Sequence, residues 1–339
     1  MRRRDFLSVA GGAMVAALGG CARPALGCLA AARSEGDARP VRFGVTADAH
    51  LLARRTPRHE AFLEAFVEDM VRWKPDFVVD LGDFACQAGE GPTTAERHDA
   101  QLDGLKHHWK TLSRVPCPAY LVMGNHDVGW IVGGDEVIAP EDLYGRPHAG
   151  EDITKKEHLR VTKLPGRYYS FDVRGCHFIV LDADNARDQR APKPGRDGVA
   201  GAYYIDPAQK AWLAQDLARH RDKLKLVFSH QELHHTPVKG SGEGGDVPFE
   251  PVGKEGSYVD NGWEIRKLLA ADGRVAACLA GHKHRNRWTV YGGVQYLTLA
   301  ATHWEGSYAK VTVGNPLRIE GHGRQRSYAI RLPESSNPR

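Results

Sequence analysis

From Val41 onward, apolar and polar positions along the chain follow two periods. Val41-Arg42-Phe43-Gly44-Val45-Thr46 alternates every second residue, as a half-buried strand does, and runs into Ala47-Asp48-Ala49-His50. Thr56-Pro57 then reads as a helix start, with a hydroxyl at the cap and proline at the first helical position. Phe62, Leu63, Phe66, Val67, Met70 and Val71 recur at helical spacing and predict one buried face. Lys74-Pro75-Asp76 stops that helix, and a short apolar strand over 77–81 ends in Gly82-Asp83. The third unit repeats the arrangement. Leu102, Leu105, Trp109 and Leu112 mark a helix face, Pro116 and Pro118 break it, and a strand over 119–123 runs into Gly124-Asn125-His126-Asp127. Three strand–loop–helix repeats are the rhythm of parallel βα units, whose ligands collect beyond the carboxyl ends of the strands.

The second half is more varied. Residues 128–164 are polar and irregular, a surface excursion placed to act as a lid. Two alternating strands over 168–173 and 177–183 flank Arg174-Gly175, a hairpin signal, and a Gly/Pro/Arg-rich loop follows over 192–201. Asp206-Pro207 caps a helix carrying Trp212, Leu213 and Leu217, and the strand over 224–228 ends in Ser229-His230. A Gly/Pro/charge-rich loop over 240–256 and a helix over 263–271 lead to a strand over 274–280, which ends in Gly281-His282-Lys283-His284. Short strands over 288–291, 294–299, 308–313 and 317–320 finish the chain as meander hairpins, turning at Gly292-Gly293 and Asn315-Pro316. One domain is expected over 39–332, with a disordered tail over 333–339.

The first 38 residues change the picture. Arg2-Arg3-Arg4 precedes Phe6-Leu7 and a Gly/Ala-rich stretch too short to span a bilayer, so residues 1–38 read as a leader. Arg3-Arg4-x-Phe6-Leu7 resembles the twin-arginine export signal, whose pathway carries folded proteins with their cofactors. Leu18-Gly19-Gly20-Cys21 resembles a lipobox, the rival being simple cleavage near Ala30-Ala31-Ala32. The expected location is therefore periplasmic or otherwise extracytoplasmic, with membrane attachment only through a lipid on Cys21. The formal net charge is +4, and five arginines against three acids in residues 1–38 leave +2 for the rest, no electrostatic footprint for nucleic acid. Cys21 and Cys28 fall in the leader, while Cys86, Cys117, Cys176 and Cys278 are widely spaced without a CxxC, which argues against a zinc knot.

Five predicted strand ends carry Asp48/His50, Asp83, Asn125/His126/Asp127, His230 and His282/His284. Each alone reads as well as a turn acid or a solvated histidine. Together they hold only His, Asp and Asn, all at the same end of one α/β pattern. Carboxylate, imidazole and amide donors without thiolate suit divalent Mn, Fe or Zn. Two carboxylates leave two such ions with residual positive charge, which suits a phosphate oxyanion. Within the third cluster, Asn125 can offer its oxygen to a metal, His126 can exchange a proton, and Asp127 can orient the His126 imidazole.

In order along the chain, Asp48-x-His50, Gly82-Asp83, Gly124-Asn125-His126-Asp127, His230 and Gly281-His282-x-His284 resemble the motif set of the calcineurin-like metallophosphoesterases. The resemblance runs over roughly residues 41–330. It implies an α/β fold, a four-layer αββα sandwich of two mixed sheets, and two divalent metal ions at the sheet ends. It further implies that Asp48, His50, Asp83 and His284 hold one ion and that Asp83, Asn125, His230 and His282 hold the other. Purple acid phosphatases instead place a tyrosine three positions after the motif aspartate, where this chain has Cys86. Gly166-Arg167-Tyr168-Tyr169-Ser170-Phe171, His177 to Asp182, Gly293-Val294-Gln295-Tyr296 and Ile319 to Arg324 are similar to the manganese-dependent ADP-ribose/CDP-alcohol diphosphatases.

The expected activity is hydrolysis of a phosphate ester or diphosphate by a hydroxide shared between the ions, with His126 assisting the leaving group and Asp127 supporting His126. The expected substrate is a small phosphorylated molecule, a nucleotide or phospho-alcohol, with Trp130, Trp304 and Tyr169 as candidates to stack on it. A phosphomonoesterase with the same site is the alternative within the class; a catalytically silent, metal-stabilised surface lipoprotein is the alternative outside it. His234, His235 and His303 read as solvated loop residues near the site, Arg167 as a hairpin charge, and Lys283 as pointing away from the metals.

Overall fold

The computed structural model describes residues 39–51, 57–85, 93–128, 131–132, 153–186, 203–233 and 258–332. The leader with Cys21 and Cys28, Thr56, Cys86, Trp130, most of the 128–164 excursion, the 192–201 and 240–256 loops, His234, His235 and the tail from Pro333 lie outside the described residues. No helix among the described residues is long and apolar enough to cross a membrane.

Strands β1 (Val41–Thr46), β2 (Phe77–Asp80) and β3 (Ala119–Leu121) run parallel, as the βα rhythm predicts. Helices α1 (Pro57–Trp73) and α2 (Thr94–Leu112) connect them. Between the two members of a small parallel pair, β4 (Ile131–Val132) and β7 (Asn185–Ala186), the hairpin β5 (Tyr169–Val173) and β6 (Cys176–Val180) opens a second sheet. Strands β8 (Leu224–Ser229) and β9 (Val275–Ala280) extend that sheet in parallel, joined through α4 (Pro207–Arg219) and α5 (Gly262–Asp272).

The closing strands β10 (Arg287–Tyr291), β11 (Val294–Thr298), β12 (Tyr308–Val313), β13 (Leu317–His322) and β14 (Tyr328–Ile330) divide between the sheets. The first sheet has the order β14-β13-β12-β1-β2-β3 and the second β10-β11-β9-β8-β6-β5. Both are mixed: the first is parallel over β1-β2-β3 and antiparallel over β12-β13-β14, and the second has a parallel centre with an antiparallel strand at each edge.

Strand alternation builds the layers. Phe43, Val45, Phe77 and Val79 of the first sheet meet Phe178, Val180, Leu226 and Phe228 of the second in one buried layer. The intervening residues face outward: Val78 packs with Leu63, Phe66 and Met70 of α1, and Ile179 and Val227 pack with Leu213 of α4 and Ile265 of α5. Helix, sheet, sheet and helix therefore stack as αββα, the expected fold. Phe77 sits at the centre of the inner layer, its ring 4.8 Å from Phe43, 4.8 Å from Phe178 and 5.2 Å from Phe171.

Several local expectations are corrected. Val71 is 40% exposed, because its position turns away from the stripe of Leu63, Phe66, Val67 and Met70. The 128–164 excursion contains a helix, α3 (Lys155–Thr162), started by a capping box in which Thr154 accepts from the Glu157 N–H and Glu157 accepts from the Thr154 N–H. Lys155 is buried and reaches the Asp182 carboxylate at 2.7 and 2.8 Å, tying α3 to the end of β6. Arg167 is no free hairpin charge: its guanidinium donates to Asp182 at 3.1 Å and to Asp206 at 2.5 Å. Cys117, Cys176 and Cys278 are free thiols.

Truncating the central aromatic opens a cavity that the surrounding rings cannot collapse into. Phe77→Ala is expected to lower unfolding free energy by roughly 3–5 kcal/mol, read from the denaturant midpoint. A loss below about 1 kcal/mol would contradict this placement of the inter-sheet core.

Candidate metal centre

The five strand ends meet at one end of the seam between the sheets. Asp48 and His50 follow β1, Asp83 follows β2, Asn125 and His126 follow β3, His230 follows β8, and His282 and His284 follow β9. The loops are stitched together by main-chain bonds, Asp48 N–H to Gly82 O at 2.8 Å and His50 N–H to Asp83 O at 3.0 Å. Across the seam, the His282 N–H donates to the Asp48 carboxylate at 3.0 and 3.1 Å.

Such tight turning has a conformational cost. Asp48, His50, Asp83, His282 and His284 all have positive φ, between 45° and 67°, and they make up five of the nine non-glycine residues so placed among the described residues. Each left-handed residue costs of order 1–3 kcal/mol and persists only where its surroundings over-determine it. Two glycines permit the approach. A Cβ on Gly124 would stand 2.2 Å from Asp83 Oδ1, and one on Gly281 would stand 2.7 Å from Asp48 Oδ2.

The side chains form two groups joined through Asp83. Ligand atoms of Asp48, His50, Asp83 and His284 lie within 4.8 Å of one another, as do those of Asp83, His230 and His282. Asn125 Oδ1 lies 3.2 Å from His230 Nε2, so the amide joins the second group. All seven metal-site residues expected from the sequence are thus brought together. His50 donates Nδ1–H to Ala85 O at 2.8 Å and His230 donates Nδ1–H to Leu81 O at 2.7 Å. Each main-chain carbonyl thereby holds the proton on Nδ1 and turns Nε2 toward the carboxylates, the usual support of a metal-binding imidazole.

Asp48 and Asp83 are buried, and their ion-pair partners among the described residues are all imidazoles. Burial raises the Asp83 carboxyl, but His230 and His126 outweigh it and hold the group well below the usual range. Burial depresses His230, yet the Asp83 carboxylate 3.0 Å away pushes it up to about 10. His50 and His282 go the other way, burial taking them down to about 4 and about 3. Lone pairs of nitrogen and carboxylate oxygen converge, and among the described residues no lysine or arginine is paired to Asp48 or Asp83. That donor set fits two divalent ions.

His126 stands at the edge of this centre with its side chain 25% exposed and Nε2 4.0 Å from Asp83 Oδ2. Its N–H donates to Asp83 Oδ1 at 2.9 Å and its carbonyl accepts from Gln101 at 3.0 Å. The part expected of Asp127 needs correction. Its carboxylate accepts main-chain N–H groups, Asp83 at 2.7 Å, Gly124 at 2.9 Å and Ala85 at 3.3 Å. Asp127 therefore braces two ligand loops, and its bonds do not serve the His126 ring.

Sequence reasoning also underrated the loop between β11 and β12. His303 donates Nδ1–H to Asp48 O at 2.8 Å, and its ring lies 5.0 Å from His50 and 4.7 Å from His284. Trp304 is 41% exposed, with its ring 5.7 Å from His284. A His-Trp pair in a short loop gives no periodic signal, and only the crossing between sheets brings it here. Tyr169, by contrast, is buried with its hydroxyl on Leu121 O at 3.0 Å, which removes it as a stacking candidate. The Lys283 ammonium lies over the Tyr258 ring.

The family model described as calcineurin-like phosphoesterase matches residues 41–286. A search of curated proteins finds no match. Among solved structures, a dimetal phosphatase from Danio rerio is similar over 87% of this chain and 100% of its own, at 17% identity and a TM-score of 0.60. A Thermus thermophilus protein covers 84% of this chain and 100% of its own, at 14% identity and a TM-score of 0.46. The anchor in the inner membrane complex of Plasmodium covers 87% and 90%, at 13% identity and a TM-score of 0.48. The Danio rerio likeness shows the fold.

A pH dependence follows from His230. Without metal its folded value of about 10 exceeds its ordinary 6.5, so its contribution to stability is complete below 6.5 and is lost as pH rises through 10. To bind a metal it must give up that proton, so metal uptake near neutral pH is expected to release protons and to tighten with rising pH. Calorimetric titration of zinc into chelator-treated protein, in two buffers of different ionisation enthalpy, reads the release. Equal observed enthalpies in both buffers would contradict it.

Proposed function

The chain belongs to the calcineurin-like phosphoesterase family, and on that premise we propose an exported two-metal hydrolase acting on diester or diphosphate bonds of small nucleotides or phospho-alcohols. That it is a metal-dependent phosphoesterase follows from the family. The observation carrying the two-metal reading is the place of Asp83 in both ligand groups. Asp48, His50, Asp83 and His284 would hold one ion, and Asp83, Asn125, His230 and His282 the other. When bound, such ions supply Lewis acidity toward phosphoryl oxygens and lower the pKa of water.

The chain's own residues do the rest. His126 stands beside Asp83, partly open to solvent and outside both ligand groups, the position from which a proton can reach a leaving oxygen. Asp127 acts through the backbone, holding the loops of Asp83 and Gly124 so that His126 is presented at a fixed height. The complete set of strand-end residues favours an enzyme over a silent binding lipoprotein.

One feature favours a diester or diphosphate over a monoester: Trp304 offers an exposed aromatic face beside His284. Stacking on such a face suits the base or alcohol of a leaving group. Export rests on Arg3-Arg4-x-Phe6-Leu7, and lipid attachment on Leu18-Gly19-Gly20-Cys21.

The test is turnover of bis-p-nitrophenyl phosphate, p-nitrophenyl phosphate, ADP-ribose and CDP-choline after reconstitution with Mn, Fe or Zn. Hydrolysis favouring the diester and diphosphates is expected; preference for the monoester would select the alternative, and no hydrolysis would select the binding protein. His126→Ala should retain both metals and lose roughly 10²–10⁴ in rate, most on poor leaving groups. Trp304→Ala should raise KM for the nucleotide diphosphates by about 5–100-fold and leave turnover of bis-p-nitrophenyl phosphate nearly unchanged. A uniform effect on all substrates would remove Trp304 from substrate recognition.

A further inference from the structure

The connection between β11 and β12 carries the chain from the second sheet to the first, directly over the first ligand group. It is firmly held there. Thr302 N–H donates to Ala47 O at 2.8 Å, Thr302 Oγ1 contacts Thr46 Oγ1 at 2.5 Å, and the Trp304 N–H closes on Ala301 O at 3.0 Å. Gly306 is pressed so closely on Phe62 of α1 that a Cβ there would meet the ring at 2.9 Å. His303 is therefore presented on a rigid support.

Its tautomer is fixed as well. Asp48 O can only accept, so the 2.8 Å contact puts the His303 proton on Nδ1 and leaves a lone pair on Nε2. An imidazole in that form cannot donate a hydrogen bond from Nε2 to a phosphate oxygen. It can accept a proton or bind a cation. His50 and His230 are prepared in the same way by Ala85 O and Leu81 O. The three imidazoles His50, His284 and His303 also bring one ring nitrogen each within 4.8 Å of the others. Behind them, His59 Nδ1 donates to His50 O at 3.0 Å and its ring lies 5.5 Å from His303, closing the outer side of the group.

We propose that His303 is a further nitrogen ligand of the ion held by Asp48, His50, Asp83 and His284. The inference rests on the reading of those four residues as a metal site. A third imidazole makes the first position richer in nitrogen than the second and biases it toward Zn or Fe over Mn.

The experiment uses cobalt(II) loaded into the metal-free full chain. Every imidazole that binds cobalt through Nε2 while keeping Nδ1–H gives one strongly shifted, exchangeable proton signal in the ¹H NMR spectrum. His303→Ala is expected to lose one such signal and to weaken one of the two cobalt affinities roughly 10–100-fold, leaving the other unchanged. His303→Asn, whose amide N–H can still serve Asp48 O, separates ligation from loop support: it should behave as His303→Ala does. Recovery of the wild-type affinity and signals in His303→Asn would reduce His303 to a loop support and overturn the proposal. Unchanged signals and affinities in folded His303→Ala would overturn it too. Failure of the wild-type chain to take up cobalt at all would instead defeat the underlying metal-site reading.

Discussion

Burial of two carboxylates at the seam between the sheets is the constraint from which most of the local structure follows. Asp48 and Asp83 are almost wholly removed from solvent, and an ionised carboxylate so placed needs compensation. The chain surrounds them with imidazoles and main-chain N–H groups in place of guanidinium or ammonium. Of those partners His230 is drawn toward its charged form by Asp83, while burial keeps His50 and His282 neutral, a donor set that suits divalent cations. Left-handed backbone at five ligand positions and the close approach of Gly124 and Gly281 are the means by which donors from separate strands converge. Strain here is the conformational cost of that convergence.

Much of this was legible in the sequence, for physical reasons. Strand alternation and helix spacing are local, so β1, β2, α1, α4 and the β5–β6 hairpin could be read from residue patterns. The five strand ends were legible because polar residues at the exit of apolar runs have few structural uses. What could not be read depends on contacts distant in the chain. No local pattern says that β10 and β11 stay with the second sheet while β12 to β14 join the first. Arg167 and Lys155 look like surface charges until Asp182 and Asp206 are placed beneath them. The Thr154–Glu157 capping box was a readable helix start, hidden by polar surroundings.

Asp127 shows how adjacency in sequence misleads. Next to His126 it invites the reading of an acid–imidazole pair, yet consecutive residues in a tight turn point different ways. Its oxygens instead gather the N–H groups of Asp83, Ala85 and Gly124, so one side chain couples the second and third strand ends. The proton-transfer reading therefore rests on His126, with Asp127 setting where that ring stands.

The contact of the Asp48 carboxylate with the His282 N–H spans 234 positions of chain. Each ligand group draws on both sheets, so neither exists while the chain is only partly synthesised. A nascent polypeptide ending before β9 would present isolated aspartates and histidines of little affinity, and metal capture would mark completion of the fold.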